Sequence, residues 1–348
     1  MRFNKKIYIN KKEISENSPV FIIAEAGVNH GGDIELAKRL ISLAAEAGAD
    51  AVKFQAFKTE ELILDKVAKA PYQQKTTASQ ESQFEMLKKL EVTLEQNFKL
   101  KKHCADEGIV FLTTPFDETS LDELDALNLP AYKIASTDTT NLPFLAKVAQ
   151  RKKPIFLSTG MSYLVEIEMA LETIIKYHSD VVLLQCTANY PISDREANLS
   201  VINTFKNKFD MLVGYSDHTV GVGAAPFAVP MGAKVVEKHF TFDKSMEGPD
   251  HRASLSPEEF RDFVETVRRV EEYMGTAIKK PNLSETATRA SLQKCLVAKN
   301  IIKQGEELTA DNIIAKRTGG VGISPIYYEE LIGTKAVKDF MKDEVIRL

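Results

Sequence analysis

Residues 20–55 read VFIIAEAGVNHGGDIELAKRLISLAAEAGADAVKFQ: an apolar run, a helical pattern and a second apolar run. VFIIAEAG (20–27) is rich enough in β-branched and aromatic side chains for a strand buried on both faces. Residues 34–49 then carry apolar side chains at helical spacing, and Gly48 closes the pattern. AVKFQ (51–55) returns as a second strand. The turn between, AGVNHGGD, does not match the GxGxxG phosphate loop of a doubly wound open sheet.

The same unit repeats along the chain. VFLTTPF (110–116), AYKIAS (131–136), PIFLST (154–159), VVLLQC (181–186), LVGYSD (212–217) and VVEKHF (235–240) complete eight strand-like runs. Helical patterns separate most of them. The last, 256–275, has Ser256 at the cap, Pro257 in the first turn and Gly275 at the stop. Eight alternations in about 255 residues predict an α/β fold, a closed (β/α)8 TIM barrel occupying 1–275. Residues 276–289 lose the apolar period and read as a linker. Residues 290–348 change texture to short β-like pieces and tight turns, a module of about 60 residues with a marginal core of its own. Such a module would lean on the barrel or on another subunit, and a dimer is expected because it needs a surface to pack on. The long excursion at 57–80 reads as a lid or meander over the barrel mouth.

Composition narrows the function. The chain has 348 residues, 44% hydrophobic and 27% charged, with a net charge of −4. That is a soluble globular balance without a general polyanion-binding surface, so nucleic acid is not expected as a partner. No apolar run reaches membrane-spanning length, and the basic N-terminus lacks a signal-peptide core. Three scattered cysteines, Cys104, Cys186 and Cys295, read as reduced thiols of a cytoplasmic protein.

In a barrel of this kind the chemistry sits at the C-terminal ends of the strands. The polar residues falling there are Glu25, Lys53 and Gln55, then Thr113 and Thr114, then Lys133, Ser136 and Asp138. Ser158 and Thr159, Thr187 and Tyr190, Ser216, Asp217 and His218, and Glu237, His239 and Asp250 follow. Lysine and glutamate are rarely buried without partners, so Lys53, Lys133, Glu25 and Glu237 need either ion pairing or a wet basin. Two ammonium groups among hydroxyls suit a phosphate and a carboxylate. His218 and His239 end neighbouring strands and can face one cation, with Asp217, Glu237 and Asp250 nearby. His30 and His251 are weaker candidates, and Cys186 reads as a packed thiol. A Schiff-base lysine, Lys53 or Lys133, is the runner-up chemistry.

The motifs IIAEAGVNHGGD, AVKFQAF, TTPFD, AYKIAS, STGM, GYSDHT, VVEKHFTFDKSMEGPDH and AKRTGGVGIS resemble the sialic acid synthase family from about residue 18 to the end. The resemblance implies a barrel plus a C-terminal module similar to type III antifreeze proteins, the SAF type. It implies condensation of phosphoenolpyruvate with an N-acetylated mannosamine-type sugar, giving a nonulosonic acid such as N-acetylneuraminate. It implies His218 and His239 as ligands of a divalent metal, Mn²⁺ or Mg²⁺, and Lys53, Thr114, Lys133, Ser136, Ser158 and Ser216 as the phosphoenolpyruvate cradle. Glu25, Gln55, Tyr190 and Asp250 would meet the sugar or a metal-bound water, and Glu237 would orient the metal or move a proton. Arg317 would reach the sugar's N-acetyl group from the module of a partner subunit in a domain-swapped homodimer.

Three motifs depart from the family pattern. ASTD stands where SGE is commoner, so Asp138 has a shorter reach; Gln185 replaces a histidine in QCTANYP; and Thr318 follows Arg317 where proline is usual. The loop APYQQKTTASQESQ resembles synthases for N-acetylneuraminate and also those for N,N'-diacetyllegionaminate. The latter use 2,4-diacetamido-2,4,6-trideoxymannose, a 6-deoxy sugar.

Overall fold

The computed structural model describes residues 1–70, 73–77 and 81–347. It divides into two compact units, Met1–Gly275 and Thr276–Leu348.

The first unit opens with a hairpin, β1 (Lys6–Ile9) and β2 (Lys12–Ser15). Eight parallel strands follow: β3 (Phe21–Gly27), β4 (Ala51–Ala56), β5 (Val110–Pro115), β6 (Tyr132–Ile134), β7 (Ile155–Ser158), β8 (Val181–Cys186), β9 (Leu212–Asp217) and β10 (Ala233–His239). Their hydrogen-bonded order is β5-β4-β3-β10-β9-β8-β7-β6. β5 and β6, at the two ends of that order, lie side by side and bring the sheet round into the expected TIM-like barrel.

The helices between strands follow their sequence signals. Asp33 accepts from Glu35 N and Leu36 N, starting the helix Ile34–Glu46. Ser256 and Glu259 form a reciprocal capping box on Pro257–Met274, and Gly275 ends that helix at φ 52°. Ala37, Leu40, Ile41 and Ala44 turn the apolar stripe of the first helix into the core between helices and sheet.

A second core fills the inside of the barrel. Ile7, Ile9 and Ile14 of the hairpin pack with Phe21, Phe156, Leu112, Leu184 and Val235 from the strands. The hairpin therefore plugs the end of the barrel where the strands begin. Burying each isoleucine contributes about 1.5–3 kcal/mol. The sequence reading passed over this hairpin as a basic N-terminus, although Ile7 and Ile9 alternate with Lys6 and Tyr8 at strand period.

The excursion at 57–80 contains two short helices, Thr59–Leu62 and Gln73–Thr76. Residues 71, 72 and 78–80 of it lie outside the described residues.

The second unit begins with a stretch that is more ordered than a linker. Asn282 N–H donates to Glu285 Oε2 at 2.7 Å, which starts a short helical passage continuing through Thr286–Leu292. That helix is exposed all round, which is why its sequence lacks an apolar period. β11 (Lys294–Ala298) and β12 (Ile313–Arg317) then pair antiparallel. Leu296, Ile302, Leu308, Leu331, Phe340 and Ile346 form this unit's own core. Among the described residues, no helix is long and apolar enough to cross a membrane.

Candidate active site

Strand alternation decides which polar residues meet. Inward positions at the C-terminal ends of the barrel strands line one cavity of about 510 Å³. Glu25, Lys53, Gln55 and Thr114 reach it from β3–β5. Lys133, Ser136 and Ser158 reach it from β6 and β7 and the turn after β6. Ser216, His218, Glu237, His239, Tyr190 and Asp250 complete the wall from β9, β10 and the loops.

The floor is a buried charge cluster. Lys53 Nζ lies 2.8 Å from Glu25 Oε2 and 3.8 Å from Glu237 Oε2. It also donates to Thr114 Oγ1 at 3.1 Å. Lys133 Nζ lies 3.5 Å from Glu237 Oε1, which also accepts from Ser216 Oγ at 3.0 Å. Gln55 Nε2 donates to Glu25 Oε1 at 3.2 Å. Gly27, at φ 53°, makes room for that pair: a Cβ there would sit 3.1 Å from Glu25 Oε1 and 3.3 Å from Gln55 Nε2. Ser158 Oγ is buried and has no hydrogen-bond partner among the described residues.

Burial and neighbouring charge set the protonation of the cluster. Burial pushes the Glu25 carboxyl up to about 7, against the pull of Lys53. Burial likewise raises Asp250 to about 6. For Lys53 burial opposes the charge, but Glu237 and Glu25 outweigh it and hold the ammonium above its usual range. Lys133 is lowered by burial, which Glu237 only partly offsets. Glu237 goes down, because Lys133 and Lys53 outweigh its burial.

Above this floor three rings meet. The His218 and His239 centroids are 5.4 Å apart, and Tyr190 lies 4.1 Å from His218 and 5.2 Å from His239. His218 Nδ1 lies 2.7 Å from the Thr187 carbonyl, a contact that makes Nδ1 the donor and leaves Nε2 with the lone pair. His239 Nδ1 is buried without a hydrogen-bond partner among the described residues. Burial first, then the positive charge around it, Lys53, Lys238 and Lys133 among its sources, hold His239 well below its ordinary pKa, so it is neutral. No cluster of three or more His, Cys, Asp and Glu ligands occurs among the described residues. A divalent cation held here would rest on these two imidazoles alone, with its remaining positions open to water and substrate.

Relatives of known name share this architecture. The NeuB family profile matches residues 40–279, and the SAF domain profile matches residues 293–348.

The chain belongs to the NeuB family.

It is 48% identical to the N,N'-diacetyllegionaminic acid synthase of Campylobacter jejuni, over 94% of this chain and 98% of that protein. It is 42% identical to the N,N'-diacetyllegionaminic acid synthase of Legionella pneumophila, over 90% of each chain. Among solved structures, the N-acetylneuraminic acid (sialic acid) synthetase of Leptospira borgpetersenii is 35% identical, with a TM-score of 0.73 over 84% of this chain and 98% of that one.

Several residues of this NeuB-family chain sit elsewhere than their strand-end positions led us to expect. Asp138 does not line the cavity. The tight turn Ser136–Asp138 presents Thr137 there instead, while the Asp138 carboxylate accepts from Asn141 Nδ2 at 3.0 Å and Thr137 Oγ1 at 3.1 Å. Asp217 points away from the histidines, out of the barrel. It accepts from Thr219 N, Thr219 Oγ1, Ala225 N and, at 3.0 Å, Lys238 Nζ. His30 is lowered to about 4 by burial and accepts from Gly32 N, and His251 pairs with Thr241 Oγ1 at 2.6 Å. Gln185 faces outward and donates to the Ala197 carbonyl. Arg317 is an exposed residue of β12, paired in register with Lys294.

The structure also adds residues that the sequence reading missed. Cys186 lines the cavity, with Sγ 3.9 Å from His218 Nδ1. Gly160 N–H donates to Ser136 Oγ at 2.9 Å, and a Cβ at Gly160 would come within 2.9 Å of that oxygen. The STG motif carried this signal: its glycine follows the serine by two positions at a strand end.

Proposed function

We propose that this chain condenses phosphoenolpyruvate with an N-acetylated mannosamine-type sugar, yielding a nonulosonic acid and phosphate. The observation that carries the reading is the pairing of Lys53 and Lys133 with the partnerless Ser158 hydroxyl in one buried cradle. Two ammonium groups offset the phosphate and carboxylate of the enol substrate, and the hydroxyls of Thr114, Ser136, Ser158 and Ser216 orient it. A divalent cation held by His218 and His239, Mn²⁺ or Mg²⁺, would supply a Lewis acid for the open-chain aldehyde.

The chain's own groups then do the following. The cradle holds C3 of phosphoenolpyruvate against the aldehyde carbon, where the new C–C bond forms. Positive charge develops at C2, and Glu237, held ionised between the two ammonium groups, orients the water that adds there and takes the proton it loses, which leaves with the phosphate when C–O cleavage follows. Glu25, raised to about 7, holds a proton in part of the population at neutral pH and delivers it to the new alkoxide oxygen, whereas Asp250, raised to about 6, is mostly ionised there and joins in only as pH falls. The tetrahedral phosphate adduct at C2 collapses with C–O cleavage, releasing phosphate and leaving the keto acid. Lys53 and Lys133 stabilise the departing dianion.

For the sugar we favour 2,4-diacetamido-2,4,6-trideoxymannose, giving N,N'-diacetyllegionaminate, over N-acetylmannosamine. The higher identity to the two legionaminate relatives than to the sialic acid synthetase supports that choice. We also propose a homodimer in which Arg317 serves the partner's cavity. Light scattering showing a fully active monomer would remove that part. The decisive assay is phosphate release from phosphoenolpyruvate with each sugar in turn, with and without chelator. Release with neither sugar, or full turnover in metal-stripped enzyme, overturns the reaction as written. Borohydride trapping of a pyruvate adduct on Lys53 or Lys133 would turn it toward the Schiff-base aldolase.

A further inference from the structure

The cavity has two unlike walls. Over β8–β10 its upper rim stays polar, with Tyr190, His218, His239 and Asp250. Over β3–β5 the strands' own polar layer stops at Glu25, Gln55 and Thr114, and the next lining residues are Val28, Phe57 and Phe116; the amides of Gln73 and Gln83, joined at 3.1 Å by Gln83 Nε2 donating to Gln73 Oε1, are the polar groups beyond them. Phe57 and Phe116 meet edge to face at 6.3 Å. Met86 and Leu87, on the helix Gln83–Lys88, and Leu62, from the excursion after β4, close over them. Val28, Phe57 and Met86 are buried in one cluster with Leu62, Leu87 and Phe116 packed against it. This apolar arm is separate from the barrel core, and it opens into the same cavity as the lysines and the histidine pair.

Resting on the proposed condensation, we infer that this arm selects the sugar by receiving its methyl-bearing end. Strand order places the arm beyond Glu25, on the side of β10 opposite β9. A sugar whose aldehyde lies at His218 and His239 runs past Glu25 and Gln55 into it. The far end of N-acetylmannosamine carries hydroxyls at C4 and C6, which Phe57, Met86 and Phe116 cannot hydrogen-bond. The diacetamido-trideoxy sugar presents a C6 methyl and an acetamido methyl instead, and these lose water at a gain. An apolar site discriminates against an added hydroxyl by roughly 10²-fold, which sets the expected preference.

The test measures kcat/KM for phosphate release with three sugars: the diacetamido-trideoxy sugar, N-acetylmannosamine and its 6-deoxy analogue. The wild-type enzyme should prefer the first over the second by roughly 100-fold, with the analogue between. Met86→Gln and the half-buried Leu62→Asn should each cut that ratio by about tenfold, through KM of the sugar, and leave KM of phosphoenolpyruvate unchanged. Melting curves identify which variants are folded, and Leu62→Asn serves if Met86→Gln is not. Equal use of all three sugars, or a ratio unmoved in a folded variant, overturns the inference while the condensation stands. Release with none of them overturns both.

Discussion

The two ends of this barrel are built from the same strands and spend them differently. Where the strands begin, the hairpin isoleucines Ile7, Ile9 and Ile14 close the interior with apolar contacts and bury no charge of their own. Where the strands end, Lys53, Lys133, Glu25 and Glu237 are all buried within a few ångströms of one another. Desolvating four ionisable groups costs free energy that their mutual attraction recovers only in part. The raised carboxyl of Glu25 and the lowered ammonium of Lys133 are the signs of that incomplete recovery. One end holds the fold, and the other is held by it.

The largest effect should come from breaking the charged end. Lys133→Met should lower kcat/KM for phosphate release by about 10³-fold or more, the scale of losing one charge-stabilising group, with little change in melting temperature. Steady-state kinetics and calorimetry together check it; a large stability loss would show that the cluster is structural. The mirror experiment is Ile9→Ala at the other end. It should cost about 2–5 kcal/mol of stability, read from urea midpoints, while kcat/KM per folded molecule is unchanged. Smaller again is Asp217→Asn, outside the barrel. Asp217 and Lys238 precede His218 and His239 in sequence and pair with each other behind them. On the proposed role of His218 and His239 as ligands, loosening that pair should weaken Mn²⁺ binding roughly tenfold, measured by titration of the folded protein. Unchanged affinity would mean that β9 and β10 hold the imidazoles unaided.

The comparison also explains what could be read from sequence. Eight strands were legible because a barrel strand buried on both faces is a short apolar run, and the helices between carry capping residues such as Asp33 and Ser256. Lys53, Lys133 and Glu237 were legible because charge inside such a run needs a reason. Side-chain direction was harder. Asp217 and Lys238 sit at strand ends as prominently as Ser216 and Glu237, and only the pleat, which turns alternate residues outward, separates them. Asp138 was misplaced because a tight turn after β6 ends the strand alternation at that point. The apolar wall of Phe57, Met86 and Phe116 was invisible, since an apolar residue in a loop looks the same whether it faces a core or a ligand.

The smallest expected effect separates the two ends by pH. Glu25 has a folded-state pKa of about 7 against an ordinary carboxyl value of 4.5. A raised carboxyl binds its proton more tightly in the folded chain than in the unfolded one. Its contribution to stability is therefore complete below the ordinary value and is lost as pH climbs through the folded one. Asp250, raised to about 6 from 3.8, acts in the same direction over a lower window. The hairpin end packs Ile7, Ile9 and Ile14 into the interior and places no raised carboxyl there. The buried imidazoles of His30 and His239, held below their ordinary range, act in the opposite direction over the same interval. The Glu25 share is therefore read as a difference: with chelator present, the wild-type melting temperature should fall by a few degrees relative to that of Glu25→Gln between pH 5 and pH 8, the scale for a domain of this size. Ile9→Ala should lower the whole curve without changing its slope. Parallel wild-type and Glu25→Gln curves would mean that Lys53 holds Glu25 ionised, and the proton assigned to Glu25 would have to come from another group.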